Sequence, residues 1–337
     1  MSILEKVCNR TVECSIEDIN TGKGMDIWQW GQGVALYGLG RAYEKTGDTK
    51  AKDFIKRWID YHLDEMNFGY SINTTAPLLG IMKLLEEDGS NEKYEKICDS
   101  FAKWCITDEP RCDRGAFEHT CTENKYDNQI WADTLFMGCL FLIKWGLYTK
   151  TDIYIKEAIR QFKLHYQFLS DNETGLMYHG YDCNERAQKG VLWGRGNGWF
   201  AVAAPEVLSI LPKDTPGYDG ILEDWKKMLG AMVRFQREDG GWSTVINRHD
   251  TYLEMSVTAA FTYSMKKAVE FGIGGDEYVV VAEKSMKCLI SNIDDDGNVL
   301  NGSLGTCVME DYKKYNDILC GYTGFTQGLA MLALLHE

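Results

Sequence analysis

The stretch GQGVALYGLGRAYEKTGDTKAKDFIKRWIDYHL, residues 31–63, decides the fold. Apolar side chains recur at helical spacing on both sides of Thr46-Gly47-Asp48, which predicts helices near 32–46 and 50–66. The glycine supplies a C-cap and the aspartate the next N-cap, so the chain reverses at once. The product is a helical hairpin.

The unit recurs. Helical periodicity also appears near 1–15, 74–87, 91–107, 129–147, 151–170, 198–211, 220–237, 254–271, 276–291 and 323–336. Strand-like alternation is rare, and roughly twelve helices make this an all-α chain, well above the base rate for helix. Short turns at Asp88-Gly89-Ser90, Leu211-Pro212-Lys213-Asp214 and Gly274-Gly275-Asp276 alternate with long loops near 108–128, 171–197, 238–253 and 292–322. Roughly six hairpins result. They could stack as an open solenoid or close as an (α/α)6 barrel, a six-hairpin toroid of inner and outer helices. Solenoid repeats resemble one another and have short loops on both sides. These hairpins differ, and the long loops all fall at one end. The closed barrel is therefore favoured, with its long-loop end as the working face.

Composition bounds the partners. The chain has 337 residues, 45% hydrophobic content and only 5 prolines, with no linker or low-complexity tract, so one domain over 1–337 is expected. A net charge of −14 without a basic stripe argues against nucleic acid and long polyanions, while a small anion in a local cationic pocket remains open. No run approaches the roughly 18 apolar residues of a membrane span. The start MSILEKVCNRTVEC carries no export signal. The 11 cysteines are odd in number and form no Cys-x-x-Cys pair, which suits reduced thiols and a cytoplasmic protein. Cys112, His119 and Cys121 fit no common zinc spacing, so no metal is expected. Nothing calls for a cofactor, and the oligomeric state is open between monomer and homodimer.

In a closed ring the six inner helices start around one shared cavity. Their starts include Trp28-Gln29-Trp30, Ile72-Asn73-Thr74, Trp131-Ala132-Asp133, Trp193-Gly194-Arg195-Gly196-Asn197-Gly198-Trp199, Glu254-Met255-Ser256 and Tyr322-Thr323-Gly324. Aromatic planes stack on the C–H face of a sugar, amides meet its hydroxyls, and helix N-termini favour an anion. An acidic sugar fits. Each residue alone also has an ordinary structural role: tryptophans as core, Asn73 and Asn197 as caps, His119 and His179 as satisfied histidines. Arg195, between two glycines, needs a ligand or a structural carboxylate. Asp133 is sharper. It sits several residues after the expected cap, Asp127 or Asn128, among Trp131, Leu135, Phe136 and Met137. A buried unpaired carboxylate is costly, which points to a catalytic role.

The assembled residues resemble the unsaturated uronyl hydrolases, glycoside hydrolase families 88 and 105, most closely the unsaturated rhamnogalacturonyl hydrolases of family 105. The similarity is carried by WQWGQGVALYGLGRAYEKTGD (28–48), RGAFEHT (114–120), NQIWADTLFMG (128–138) and MYHGYD (177–182). It continues in WGRGNGWFAVA (193–203), DTYLEMSVTAAFTYSM (250–265) and NGSLGT (301–306). The resemblance implies an (α/α)6 barrel that removes a 4,5-unsaturated uronic acid from the non-reducing end of a small acidic oligosaccharide left by a lyase. It implies Asp133 as acid/base, with His119, His179, Trp193, Arg195 and Trp199 around the sugar. Trp30, Asn73 and Asn197 join them from the helix starts.

One carboxylate suffices for a vinyl ether, whereas ordinary glycosidases use two. Asp133 would protonate C4, and as carboxylate it would help water add at C5. A neutral-pH acid needs a raised pKa. Trp131 and Phe136 would raise it by desolvation, while Arg195 and a helix N-terminus would lower it. The chain also departs from many members, which carry a second aspartate where SINTTAPLLG (71–80) has none. Alternatives are an inverting glycosidase or lyase on the same barrel, with Glu254 or Asp182 as the second acid, or an inactive sugar-binding relative.

Overall fold

The computed structural model describes residues 1–13, 24–66, 68–121 and 126–337. Residues 14–15 of the first expected helix, with Cys14, and residues 122–125 of the loop at 108–128 lie outside the described residues.

The first hairpin forms as its turn chemistry dictates. Helix α2 (Trp30–Thr46) ends at Gly47, whose φ of 71° is left-handed, and Asp48 caps α3 (Thr49–Glu65) by accepting from Lys50 N at 3.0 Å. The second hairpin pairs α4 (Ile72–Thr75) and α5 (Leu78–Asp88) with α6 (Glu92–Thr107), and Asn91 caps α6. One helix was expected over 74–87. The break falls at Pro77, which has no N–H to donate to the preceding turn. Next come α7 (Leu140–Thr149) with α8 (Asp152–Leu169), and α9 (Gly194–Ile210) with α10 (Tyr218–Phe235). The fifth pair is α11 (Met255–Glu270) and α12 (Asp276–Ser291). A short α13 (Tyr312–Asn316) precedes α14 (Gly324–Leu334). The outer partner of α14 is α1 (Ile3–Val12), started by a reciprocal Ser2–Glu5 capping box.

Contacts close the ring. Helices α2, α5, α7, α9, α11 and α14 touch in that order, and α14 returns to α2. Helices α3, α6, α8, α10, α12 and α1 pack outside them. This is the (α/α)6 barrel. The α14–α2 seam is tight: a Cβ on Gly38 would lie 2.6 Å from Gly328 O, and one on Gly328 would lie 2.4 Å from Val34 O. Only glycine lets these two backbones approach so closely. Inner-helix side chains form most of the core, including Leu36, Leu79, Leu142, Val202, Phe261 and Leu329, all almost fully buried.

A small sheet was not expected. Strands β1 (Gln129–Trp131), β2 (Gly180–Asp182) and β3 (Ala187–Lys189) pair antiparallel in that order, with Trp131 opposite Gly180. The helix expected over 129–147 is corrected accordingly. Loops claim the backbone there: His119 N donates to Gln129 O at 2.8 Å, and Cys183 N to Asn128 O at 2.9 Å. Asn128 is not a cap but a left-handed residue, φ 61°, leading into β1. Helix resumes only at Leu135, first as a π-helical turn, Leu135–Cys139, then as α7. Among the described residues no helix is long and apolar enough to cross a membrane.

Candidate active site

Asp133 falls in the turn between β1 and the π-helical segment. Such single π turns mark places where a helix is re-aimed, often at functional sites. The turn holds Asp133 by its backbone, since Phe136 N and Met137 N both donate to Asp133 O. The side chain is 8% exposed, and Oδ2 has no hydrogen-bond partner. Burial pushes the carboxyl up from 3.8 to about 7, against the pull of the Arg195 charge and of the Trp199 N–H. Desolvation therefore wins the contest the sequence left open. The Trp199 indole is turned toward Asp133 without closing a hydrogen bond, and its Nε1 is also unpartnered.

Around Asp133 the aromatic groups form one continuous wall. Trp30 stacks on Phe325 at 4.6 Å and meets Trp199 edge-on at 5.9 Å. Arg195 lies 4.7 Å from the Phe325 ring and 4.6 Å from Trp193. Trp193 packs on His179 at 4.0 Å, His179 meets Trp131 at 5.0 Å, and Trp131 stacks on His119 at 4.7 Å. Six of the expected residues, Trp30, His119, His179, Trp193, Arg195 and Trp199, thus come together.

Both histidines are neutral here. Burial drives His119 down to about 3 and His179 well below its ordinary value. His119 Nδ1 faces Thr134 Oγ1 at 3.1 Å, and His179 Nδ1 faces the Tyr315 hydroxyl at 2.8 Å. Arg195 is fully buried. Its Nη1 donates to Ser303 Oγ (2.6 Å) and Ser303 O (3.0 Å), and its Nη2 to Leu304 O (2.8 Å) and Thr306 Oγ1 (3.1 Å). The NGSLGT segment is therefore its cradle. Four buried polar atoms of this cluster lack partners: Asp133 Oδ2, Trp199 Nε1, His179 Nε2 and Arg195 Nε. Buried polar groups are normally satisfied, so such a concentration singles out this cluster as the candidate site.

The two asparagines divide. Asn73, on α4, makes no side-chain hydrogen bond among the described residues and is 9% exposed. Asn197 is engaged on all sides: Nδ2 donates to Met177 O (2.8 Å) and Trp193 O (2.9 Å), and Oδ1 accepts from Met177 N (2.7 Å). It ties the 177–182 loop to α9 and has no donor to spare.

The candidate second acids are also engaged. Glu254 caps α11 through Val257 N at 2.8 Å, accepts from Ser256 Oγ and Ser303 N, and lies 3.8 Å from Arg195. Asp182 accepts from Asn184 N and Glu185 N at 2.9 Å. Among the described residues no three His, Cys, Asp or Glu side chains converge as a metal site. Sequence reasoning missed Tyr315 and Thr134. Thr134 was adjacent to the key acid, whereas Tyr315 sits in a five-residue helix too short to show periodicity.

Residues 3–337 match the family described as Glycosyl Hydrolase Family 88. The chain belongs to that family. This family 88 chain is 31% identical to the unsaturated rhamnogalacturonyl hydrolase YesR of Bacillus subtilis, covering 99% of this chain and 93% of that protein. A possible family 105 member from Salmonella enterica superposes with a TM-score of 0.94 at 31% identity, over 99% of this chain and 92% of that one. A family 105 glycoside hydrolase from C. acetobutylicum gives 0.84 at 24% identity, over 98% of each chain, and supports the fold.

Proposed function

We propose that this family 88 protein hydrolyses the glycosidic link of a 4,5-unsaturated uronic acid at the non-reducing end of a small oligosaccharide made by a lyase. The reading is carried by Asp133, a buried carboxyl near neutral pKa with an open oxygen beside an arginine and an indole N–H. Similarity to unsaturated rhamnogalacturonyl hydrolase supports a uronyl–rhamnose type of substrate.

The reaction follows from one group. Protonated Asp133 delivers its proton to C4 of the vinyl ether, and positive charge develops at C5. The carboxylate then takes a proton from water as it adds at C5. The hemiketal opens and expels the aglycone. Arg195 and the Trp199 N–H stabilise the carboxylate stage, while burial restores the acid. Neutral His119 and His179 donate or accept hydrogen bonds without adding charge, and Asn73 holds a sugar hydroxyl or the water. The engagement of Glu254 and Asp182 as scaffold favours this over a two-carboxylate inverting mechanism. The protein acts as one domain over 1–337, in the cytoplasm, as a monomer or homodimer.

The test is the ultraviolet absorbance of the conjugated double bond in lyase-generated disaccharides. Loss of absorbance with a rhamnogalacturonan or glycosaminoglycan product is expected. No loss with any member of such a panel would remove the assignment.

A further inference from the structure

His165 on α8 and His179 in the loop before β2 are both fully buried, and desolvation keeps both neutral. A neutral imidazole carries one ring proton, so one nitrogen donates and the other accepts. The neighbours decide which. His165 Nδ1 faces Gln161 O at 2.9 Å. A carbonyl only accepts, so the proton there is on Nδ1. His179 Nδ1 faces the Tyr315 hydroxyl at 2.8 Å instead. A hydroxyl can donate or accept, so its other bonds settle the direction.

Those other bonds are given to it. Met309 N donates to Tyr315 Oη at 3.2 Å, and the Val191 backbone bonds the same oxygen in the sense that favours negative charge on it. The phenol is fully buried and keeps its own hydrogen, because burial raises its pKa. Among the described residues His179 Nδ1 is its only acceptor. The Tyr315 hydrogen therefore goes to Nδ1, and the His179 proton goes to Nε2. That nitrogen is buried and has no partner among the described residues. A buried N–H without an acceptor is costly, and a ligand oxygen removes the cost. The ring is also held against turning, with Trp193 at 4.0 Å and Trp131 at 5.0 Å on different sides.

The loop fold makes room for this pair. Gly190 has φ 77°, and a Cβ on it would lie 2.5 Å from Tyr315 Oη and 3.1 Å from His179 Cβ. Helix α13 carries the phenol inward and is itself tied down: Asp311 caps it through Lys313 N at 3.0 Å, and Asn316 Oδ1 accepts from Tyr252 N at 3.1 Å.

We propose that Tyr315 is a positioning residue that holds His179 as the Nε2–H tautomer, so that His179 serves as a hydrogen-bond donor to an oxygen of the sugar bound beside Asp133. The sugar half of the proposal rests on the function given above; the tautomer half does not.

The first test is the ring 15N spectrum of the free protein, which needs no turnover. His179 should show its proton on Nε2, and His165 in the same spectrum should show it on Nδ1. Tyr315→Phe should move the His179 signals toward a mixture of tautomers. A His179 proton on Nδ1 in the parent, or signals unmoved by Tyr315→Phe, would overturn the assignment. The second test is kinetic. Tyr315→Phe should raise KM roughly three- to tenfold, the worth of one hydrogen bond, with kcat within about twofold. In a His179→Ala background the same substitution should add almost nothing. An equal rise in both backgrounds would show that Tyr315 acts by packing and not through His179. If no unsaturated uronide is cleaved, the hydrolase reading fails, and the donor role is judged by titrating the parent with an unsaturated disaccharide. A shifted Nε2–H signal supports it; an unmoved signal at saturation, or no binding, refutes it.

Discussion

Two carboxylates are buried in the same inner ring, and their surroundings are opposite. Glu206 sits on α9, about 16 Å along the helix from Arg195. It receives the hydroxyls of Tyr37 and Tyr263 and the guanidinium of Arg41. The network continues through Glu44 to Lys83 and Glu87. Asp133, at the loop end, keeps one oxygen unmatched beside an unmatched indole N–H. Both are almost fully buried, at 4% and 8% exposure. Depth alone therefore does not separate scaffold from chemistry. A carboxylate with both oxygens bonded locks helices together; on the proposed reading, the one with an oxygen left open trades the proton.

The contrast can be broken most directly by substitution. Asp133→Asn should cut kcat by at least about a thousandfold, within the range for loss of a general acid, while thermal unfolding stays at or above the parent temperature. Retention of rate in the ultraviolet assay would put the two carboxylates back in one class. Glu206→Gln should do the reverse. It breaks a buried charge network, so denaturant titration should show a loss of roughly 3–5 kcal/mol, with kcat of the folded fraction nearly unchanged.

The pH dependence sharpens the comparison. Asp133 is raised from 3.8 to about 7, so the folded chain keeps its proton where the unfolded chain has lost it. Stability contributed by this group thus falls as pH rises from about 4 to about 7 and then levels, by roughly 4 kcal/mol in all. Asp133→Asn should flatten that slope. In the parent, kcat/KM should drop about tenfold per pH unit above about 7, because the reactive form is protonated. Trp199→Phe removes an N–H that pulls the carboxyl down, so the alkaline limb should move up by roughly half a unit to one unit. Smallest in stability is Asn73→Ala. With no side-chain hydrogen bond to lose, it should change unfolding by less than about 0.5 kcal/mol while raising KM.

Much of this was legible in the sequence because hairpins are local. Thr46-Gly47-Asp48 announces its own turn, and repeating it with long loops at one end implies a ring. Asp133 was legible because an acid among Trp131, Phe136 and Met137 contradicts its neighbours. The strand at 129–131 was not. Three residues cannot show a period of two, and what keeps them extended is backbone from 119, 179 and 183. For the same reason Asn197 read as a sugar contact: its partner, the Met177 backbone, is invisible from its own helix. The sign of the Asp133 shift also needed the structure, since burial and the Arg195 charge oppose each other and only geometry ranks them.

The glycine seam between α2 and α14 has a kinetic meaning. Gly38 and Gly328 are separated by nearly the whole chain, so the ring cannot finish by local steps; its closing contact is among the most non-local in the molecule, and such contacts form slowly. Trp30 and Phe325 stand at the entrances of those same two helices and stack on each other. The aromatic wall around Asp133 is therefore incomplete until closure occurs. A partly folded ring has hairpins and a core but no chamber, so recovery of ligand binding during refolding should lag behind recovery of helix.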